Sequence, residues 1–290
     1  MNFAAKPLSA GLYFVATPIG AARDVTLRAL DILASADLIA AEDTRTARKL
    51  MEIHGVPLNG RQVVAFHDHS GERPVARLVA AVAAGQSVAY VSEAGTPLVS
   101  DPGYELGRAV IAAGLPVTAA PGASAVLAAL TVSGLPSDRF AFVGFLPTGK
   151  AQRATEIASL RDISFTLVFY ESPGRVGELL TDLRDILGEG REAAVCRELT
   201  KRFEEVSRGT LGELADAFSD RRVKGEIVVL VGRGGAETVA EGDVAAALRD
   251  AMKTMRIKDA ATAVAGALGL PRRDVYQIAL GLKDQGDGTD

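Results

Sequence analysis

The sequence has little of what marks a secreted or membrane-bound protein. It contains a single cysteine, Cys196, which excludes an intramolecular disulfide framework and suits a reducing compartment. No apolar run reaches the roughly 18 residues that a membrane-spanning helix needs. The start, MNFAAKPLSAG, lacks a basic segment followed by an apolar one, so we expect no secretion signal. These absences predict a cytoplasmic protein without membrane contact.

The sequence also lacks an excess of positive charge. Its formal net charge is −4 over 290 residues, which gives no overall attraction to nucleic acid. Nucleic-acid binding needs only a local basic patch, so this function is not excluded. The length is sufficient for a sizeable core and for two domains.

The first part of the chain alternates short apolar runs with segments of helical spacing. Such alternation predicts a mostly parallel, doubly wound sheet flanked by helices. We assign this α/β domain to residues 11–121. Its strands are predicted at 12–17, 38–41, 63–66, 88–91 and 116–120.

The second part, residues 122–234, contains more strands than helices. One of its segments, FEEVSRG, alternates in polarity as a half-exposed antiparallel strand does, so we predict a mixed sheet. A linker is predicted at 232–242, followed by three short helices in a tail assigned to 243–290. Strands are predicted at 140–146, 165–170, 192–196, 203–209 and 226–232, with helices near 150–160, 174–187 and 211–218.

The segment GFLPTGKA, residues 144–151, resembles a phosphate-binding P-loop but lacks two of its requirements. Ala151 stands where the loop needs a hydroxyl for Mg²⁺, and Pro147 removes a backbone N–H. We therefore interpret Lys150 and Arg153 as solvated residues or as part of a substrate-facing basic edge.

Neither the histidine pair of the HDH segment nor the single cysteine is expected to take part in catalysis or metal binding. His67 and His69 share one face of an extended chain near Asp68 and Glu72, but no third metal ligand is evident, so no metal is expected. Cys196 lies in an apolar run, which favours a buried structural thiol over a nucleophile.

Four loops rich in special residues follow predicted strands of the first domain. Ligands of open α/β sheets bind at the carboxyl edge of the strands, where these loops meet. They contain no phosphate cradle, whereas Gly95 and Gly103 permit close backbone approach and Asp101 or Glu93 can accept hydrogen bonds. The residues thus predict a small ligand without phosphate. The loops are ATPIG (16–20), AEDTR (41–45), SEAGTPLVSDPGY (92–104) and PGASA (121–125).

The ordered motifs resemble one known family. It is that of the bacterial small-subunit ribosomal RNA (cytidine-2′-O)-methyltransferases, in the tetrapyrrole-methylase-like class. The resemblance implies two α/β domains with S-adenosylmethionine in the cleft between them, a small C-terminal helical module and a homodimer. The implied activity is 2′-O-methylation of a cytidine in the decoding region of 16S rRNA in the 30S subunit. The motifs are TPIGxxxDVTLRAL, ADLIAAEDTR, SEAGTPLVSDPG, PGASA, GFLPxGK, FYESPxR, RELTK and GEIVVLVG.

The same resemblance implies the residues of the site. Polar residues of the AEDTR and RELTK motifs are expected to have acid–base or orienting roles, in no assigned order: Glu42, Asp43, Arg45, Glu198 and Lys201. An ion-pair cluster between the domains is the competing interpretation of these five. Cofactor contacts are expected at Pro18, Ser92, Glu93, Ala94, Gly95, Leu98, Asp101, Ser124, Ala125, Tyr170, Glu171, Leu199, Gly225 and Glu226.

Three positions depart from the family pattern. The family usually has TPIGNL, SDAGTP and YESPHR, whereas this chain has Ala21, Glu93 and Gly174 at the variant positions. Glu93 keeps the negative charge but reaches further. Any side-chain role at the other two positions is in doubt.

The tail is predicted to contain a helix-turn-helix unit at 257–280, with its turn at Gly269 to Pro271. The family has such a module. Together with Lys253 its basic residues can form the local patch that the net charge does not supply, although a purely structural cap explains the pattern as well. The expected RNA-binding residues are Lys150, Arg153, Arg256, Lys258, Arg272 and Arg273.

Two other functions remain open at this point. A methylase of a tetrapyrrole (corrin or porphyrin) precursor would share the fold and cofactor, but should carry GxGPGD where this chain has TPIGAARD. A non-enzymatic nucleic-acid-binding protein would act through the tail alone, which leaves the loops of the first domain unexplained.

Overall fold

Five parallel strands form the first sheet. The computed structural model describes residues 2–67, 71–234, 241–268, 270 and 272–286. Every neighbouring pair in this sheet is parallel, in the order β3-β2-β4-β1-β5, which confirms the doubly wound prediction. The strands are β1 (Gly11–Val15), β2 (Leu38–Ala41), β3 (Val63–Ala65), β4 (Ser87–Val91) and β5 (Val117–Ala120).

Helices cover both faces of this sheet. One face packs against α1 and α2, through side chains such as Leu30 and Met51. The other packs against α3 and α4, through side chains such as Leu78 and Val110. Both faces of the sheet are therefore buried, as is usual for a parallel sheet. The helices are α1 (Leu27–Ser35), α2 (Thr44–Ile53), α3 (Glu72–Ala83) and α4 (Tyr104–Ala112).

Helix α1 begins later than the sequence suggested. The stretch DVTLRAL by itself predicts a helix that opens at Asp24, but residues 22–24 form a single 3₁₀ turn. The side chain of Thr26 accepts a hydrogen bond from the Ala29 N–H at 3.1 Å. Such a cap fixes the start of the helix at the next residue.

The second sheet is mixed, as predicted. Its order is β6-β7-β10-β8-β9, with β6 and β7 parallel and the other pairs antiparallel. Helix α5 lies on one face and α6, α7 and α8 on the other. The elements are α5 (Ala125–Ser133), β6 (Phe140–Phe145), α6 (Lys150–Ser159), β7 (Thr166–Glu171), α7 (Val176–Leu187), β8 (Glu192–Arg197), β9 (Glu205–Thr210), α8 (Leu211–Phe218) and β10 (Ile227–Val231).

Cys196 is part of the core between α5 and the second sheet. Its side chain is fully buried, and this burial raises the pKa of the thiol to about 12. The cysteine is a structural residue, as its apolar surroundings predicted.

Three helices follow the second sheet: α9 (Glu241–Ala251), α10 (Ile257–Leu268) and α11 (Arg272–Gly286). They share a core of small and branched side chains that includes Leu248, Val264 and Val275. Positions 235–240 of the expected linker, and Gly269 and Pro271 of the expected turn, lie outside the described residues. The domain boundaries given above stay a prediction. None of the helices in the described ranges has the length and apolarity to cross a bilayer.

The assignment of Arg153 to a basic, RNA-facing edge was wrong. Its side chain is 3% exposed and lies between α6 and α7. Nε donates a hydrogen bond of 2.6 Å to Asp182, and Glu178 lies 3.5 Å from Nη2. Helical spacing places Arg153 on the same buried face as Ile157, four residues later.

Because Asp182 is also buried, removing its partner should be costly. We expect Arg153→Met to lower the free energy of unfolding by about 3–5 kcal/mol, since a buried carboxylate loses its counter-charge. Urea denaturation measures this change. Adding Asp182→Leu should recover most of the loss. Lys150→Met, on an exposed position of the same helix, should change stability by less than about 0.5 kcal/mol. Equal effects of the two single variants would contradict the assignment.

Candidate functional site

The loops after β1, β4 and β5 meet at the carboxyl edge of the first sheet. The N–H of Thr17 donates to the Gly95 carbonyl at 2.8 Å, and the Gly95 N–H donates to the Thr17 carbonyl at 3.1 Å. The hydroxyl of Thr96 donates to the Ala123 carbonyl at 2.9 Å. The expected convergence of these loops is therefore present.

The same edge contacts the second sheet through the loop after β1. The N–H of Ala21 donates to Thr200 Oγ1 at 3.1 Å, across 179 positions of the chain. A Cβ on Gly20 would lie 2.7 Å from this oxygen and 3.0 Å from the Leu199 carbonyl. Both distances are too short, so only glycine permits this approach.

A cavity of about 340 Å³ lies between the two sheets next to this contact. Its size falls in the range of roughly 300–1,000 Å³ that is typical of small-molecule sites. The lining comes from the loops of the first sheet and from the ends of β6, β7 and β10. It consists of Ile19, Ala94, Gly95, Thr96, Val99, Ser100, Asp101, Ser124, Ala125, Phe145, Tyr170, Glu171, Ser172, Pro173, Gly225, Glu226, Ile227 and Val228.

Most of the expected cofactor-binding residues line this cavity, but some do not. Leu98 is 41% exposed, and Leu199 is buried in the core beside Ile19 and Val228. Pro18, Ser92 and Glu93 also lie outside the lining. Expected residues in the lining are Ala94, Gly95, Asp101, Ser124, Ala125, Tyr170, Glu171, Gly225 and Glu226.

Half of the residues that line the cavity were not among the site residues expected from the sequence. Each of these residues lies within a quoted motif, so proximity to the named residues was the available signal. The residues are Ile19, Thr96, Val99, Ser100, Phe145, Ser172, Pro173, Ile227 and Val228.

The lining is acidic. Among the lining residues that the structure describes, there are carboxylates at Asp101, Glu171 and Glu226 and no lysine, arginine or histidine. Glu171 is 3% exposed and is neutralised by Arg175, whose Nη2 lies 3.3 Å away. This composition suits a cationic ligand with hydroxyl groups rather than a phosphate.

Tyr170 stands between these acids. Burial and the charge of Asp101 raise the pKa of its hydroxyl to about 12, because both disfavour the phenolate. The hydroxyl is therefore protonated at neutral pH and can donate a hydrogen bond at the cavity.

Lys201 is held between two carboxylates at the edge of the cavity. Its Nζ donates to Glu198 at 3.0 Å and to Glu226 at 2.7 Å, and the Glu226 N–H also donates to Glu198, at 3.0 Å. Burial lowers the pKa of Lys201, but the bonds to Glu226 and Glu198 outweigh it and the net pKa is raised. The Glu226 N–H and then Lys201 lower the pKa of Glu198, against burial. At neutral pH Lys201 is a cation and Glu198 an anion.

The backbone that carries this group is strained. Glu198 and Thr200 have φ values of 50° and 63°, in the left-handed region that non-glycine residues rarely adopt. Facing them, Gly225 has a φ of 95°, and a Cβ there would overlap the Glu198 carboxyl group. The arrangement therefore depends on a glycine opposite Glu198.

The other three expected catalytic residues belong to a different depression. Glu42, Asp43 and Arg45 line it together with Glu93, whose N–H donates to Glu42 at 3.1 Å. Bonds from Arg45 lower the pKa of Asp43 to about 2. The structure thus divides the five expected residues into two groups, and only Glu198 and Lys201 contact a residue of the cavity lining, Glu226.

The candidate metal ligands do not form a site within the described residues. His67 lines the depression around Glu42, whereas Asp68 and His69 lie outside the part of the chain that the structure describes. No group of three or more ligating side chains occurs in that part.

Two of the positions that depart from the family pattern tolerate the change. Ala21 contributes its backbone N–H to the contact with Thr200, so its side chain has no part in that bond. Gly174 is exposed, and a Cβ there would meet no atom within 4 Å.

The remaining basic residues expected to bind RNA lie at the surface. Arg256, Lys258, Arg272 and Arg273 are exposed on α10, α11 and the turn before α10, and Lys150 is exposed at the start of α6. Lys253 is exposed too, but pairs with Asp250 at 3.0 Å.

Comparison with known proteins identifies the family. The model for tetrapyrrole (corrin/porphyrin) methylases matches residues 11–215, and that for the RsmI C-terminal HTH domain matches residues 238–283. A Mesorhizobium japonicum protein named ribosomal RNA small subunit methyltransferase I is 46% identical, over 98% of this chain and 97% of its own. The chain belongs to this family. A Vibrio cholerae member is 42% identical, over 93% of this chain and 94% of its own.

A solved structure supports the fold. Uroporphyrin-III C-methyl transferase from Thermus thermophilus, complexed with S-adenosyl homocysteine, has a TM-score of 0.54 and 21% identity, covering 77% of this chain and 97% of its own. Family membership and this similarity confirm the tetrapyrrole-methylase type of fold, with a helical C-terminal module added.

Because Glu198 lies against Gly225, a side chain at that glycine should displace the carboxylate from Lys201. We expect Gly225→Ala to cost about 1–3 kcal/mol of stability through backbone strain, and to weaken S-adenosylmethionine binding in isothermal titration calorimetry. The control is Gly174→Ala, in open space and without a positive φ, which should leave both quantities unchanged. If Gly225→Ala binds as the wild type does, the Glu198–Lys201 group has no part in shaping the cavity.

Proposed function

We propose that this protein transfers a methyl group from S-adenosylmethionine to the ribose 2′-oxygen of a cytidine in the decoding region of 16S rRNA. The supporting observation is its 46% identity, over almost the full length of both chains, to a ribosomal RNA small subunit methyltransferase I. Family membership makes the protein an S-adenosylmethionine-dependent rRNA methyltransferase, and the particular nucleotide and oxygen are our proposal.

The cavity has the chemistry that this cofactor requires. S-adenosylmethionine carries a sulfonium and an ammonium group, ribose hydroxyls and no phosphate, and when bound it supplies an already activated methyl group. Asp101 and Glu226 are the carboxylates placed to attract the positive groups or to accept from hydroxyls. Ile19, Val99 and Val228 offer an apolar wall.

The remaining task of the protein is to align the acceptor and remove its proton. Lys201 is a cation at neutral pH, so it acts as a charge that favours the ionised 2′-oxygen and not as a base, and the hydroxyl proton passes to solvent water. Glu198 and Glu226 orient Lys201 through bonds of 3.0 and 2.7 Å. Preorganised charge of this kind needs no rearrangement during the reaction.

The exposed basic residues of the C-terminal helices are proposed to bind the small subunit. Arg256, Lys258, Arg272 and Arg273 supply local positive charge to a chain whose net charge is −4. A homodimer and a location in the bacterial cytoplasm complete the proposal.

The two alternatives have less support. The likeness to a solved uroporphyrin-III-C-methyltransferase, at 22% identity over 77% of this chain, supports the shared fold alone. A non-enzymatic protein that acts through the C-terminal helices would need no acidic cavity between the two sheets.

The proposal predicts where a radiolabelled methyl group will be found. The protein is incubated with labelled S-adenosylmethionine and with small subunits that lack the modification, and the label is mapped by nuclease digestion. We expect one labelled cytidine, in the decoding region, resistant to cleavage on its 3′ side because its 2′-oxygen is methylated. Label on a base, on another nucleotide or on no RNA at all would overturn the proposal.

The position of the cofactor can be tested separately. We expect Asp101→Ala to weaken S-adenosylmethionine binding about tenfold or more, because a hydrogen bond to a charged group is lost. Gly95→Trp should abolish binding by filling the cavity. Asp259→Ala, at an exposed acid on α10 outside the cavity lining, is the control. Unchanged affinity in both cavity variants would place the cofactor elsewhere.

A further inference from the structure

Strand β6 presents three phenylalanines to solvent. Phe140, Phe142 and Phe145 are 40%, 36% and 58% exposed. A bulge interrupts the pairing of β6 with β7 between Phe142 and Gly144. In a regular strand, residues 142 and 145 would point to opposite faces, because they are an odd number of positions apart. The bulge brings both rings to the same face, where they contact Tyr170 at centroid distances of 4.9 and 5.6 Å.

The face that carries these rings is only partly covered. Helix α5 packs over β8, β9 and β10 on this side of the second sheet, whereas β6 is the edge strand. Phe145 lies at the end of β6 that borders the cavity. Among the lining residues that the structure describes, only Ser100, Phe145 and Glu226 are exposed, so Phe145 is the exposed aromatic ring of the cavity.

The position of Phe145 is fixed from both sides. Tyr170 packs edge-on against its ring. Behind it, Leu146 is 3% exposed, and Arg175 Nη2 donates to the carbonyls of Leu146 and Pro147 at 3.4 and 3.2 Å. The ring is therefore held at the mouth of the cavity while more than half of its surface faces solvent.

This inference rests on the proposed function. When the methyl donor fills the cavity, the acceptor nucleotide has to approach through the mouth. Its base is attached to C1′, the neighbour of the carbon that carries the reacting 2′-oxygen, and therefore lies close to the mouth as well. Proteins that act on unpaired RNA stack bases on aromatic side chains. We propose that the solvent-facing side of Phe145 stacks on the base of the nucleotide that is methylated.

Stacking on Phe145 orients the ribose without reading the base. A phenyl ring has no hydrogen-bond donor or acceptor, so it can stack on any base that reaches it. Phe145 is thus a positioning residue for the acceptor, whereas the cavity behind it serves the methyl donor. Its loss should weaken RNA binding by a larger factor than binding of the methyl donor, whose cavity Phe145 also lines.

The first experiment separates these two affinities. For Phe145→Ala, we expect the KM for small subunits lacking the modification to rise about tenfold, the effect of one lost base stack. The Kd for S-adenosylmethionine, from calorimetry, should rise by a clearly smaller factor than this KM. Phe145→Leu, which keeps apolar bulk without an aromatic face, should behave as Phe145→Ala does. A cofactor Kd that rises as much as the KM, or a wild-type KM, overturns the inference.

The second experiment uses the absence of tryptophan from this chain. Phe145→Trp introduces a single indole, whose fluorescence should be quenched by a single-stranded RNA oligonucleotide of the decoding-region sequence in the presence of S-adenosylhomocysteine. The same oligonucleotide with an abasic target position should not quench it. The control is Phe140→Trp, on the same strand and face but away from the cavity. Its fluorescence should be quenched by neither oligonucleotide.

Other results identify the competing explanations. Quenching by S-adenosylhomocysteine alone would make Phe145 a cofactor contact. A spectrum that shifts with protein concentration, without RNA, would show that a second copy of the chain covers the ring. Either result overturns the inference. If the wild type transfers label to no RNA, the proposed function fails. If it labels the subunit but Phe145→Ala keeps the wild-type KM, only the stacking role fails.

Discussion

The site depends on the close contact between the loop after β1 and the segment that follows β8. The Ala21 N–H reaches Thr200 Oγ1, and Gly20 leaves no room for even a methyl group against Leu199 and Thr200. This contact sets the separation of the two sheets. It places the apolar side chain of Ile19 at the same cavity as Glu226, the carboxylate that accepts a hydrogen bond from Lys201.

Much of the fold could be predicted because its signals are local. Alternating apolar runs and helical spacing identified the strands of both sheets. The start of α1 was missed because two weak signals competed. Asp24 is a good first-turn residue, but the Thr26 side chain caps Ala29 and fixes the start at Leu27. The structure is needed to choose between the two starts, because Asp and Thr are both common residues at the beginning of a helix.

The site was predictable to the extent that it lies in contiguous motifs. The carboxyl-edge rule brought Gly95 and Asp101, from the loop after β4, together with Ser124, from the loop after β5. The sequence could not show that the expected catalytic residues lie in two separate places. Lys201 lies by the cavity and Asp43 in another depression, a separation set by the packing of the two sheets. Arg153 was misassigned because its charge was given more weight than its spacing from the buried Ile157.

The acidic lining has a consequence for competition inside the cell. Any enzyme that recognises the adenosine part of its cofactor also meets ATP and related nucleotides, which carry the same base and ribose. Asp101 and Glu226 repel a triphosphate, and the lining residues that the structure describes offer it no lysine or arginine. The negative charge of the lining therefore disfavours a triphosphate in this cavity, even one that shares its base and ribose with the methyl donor.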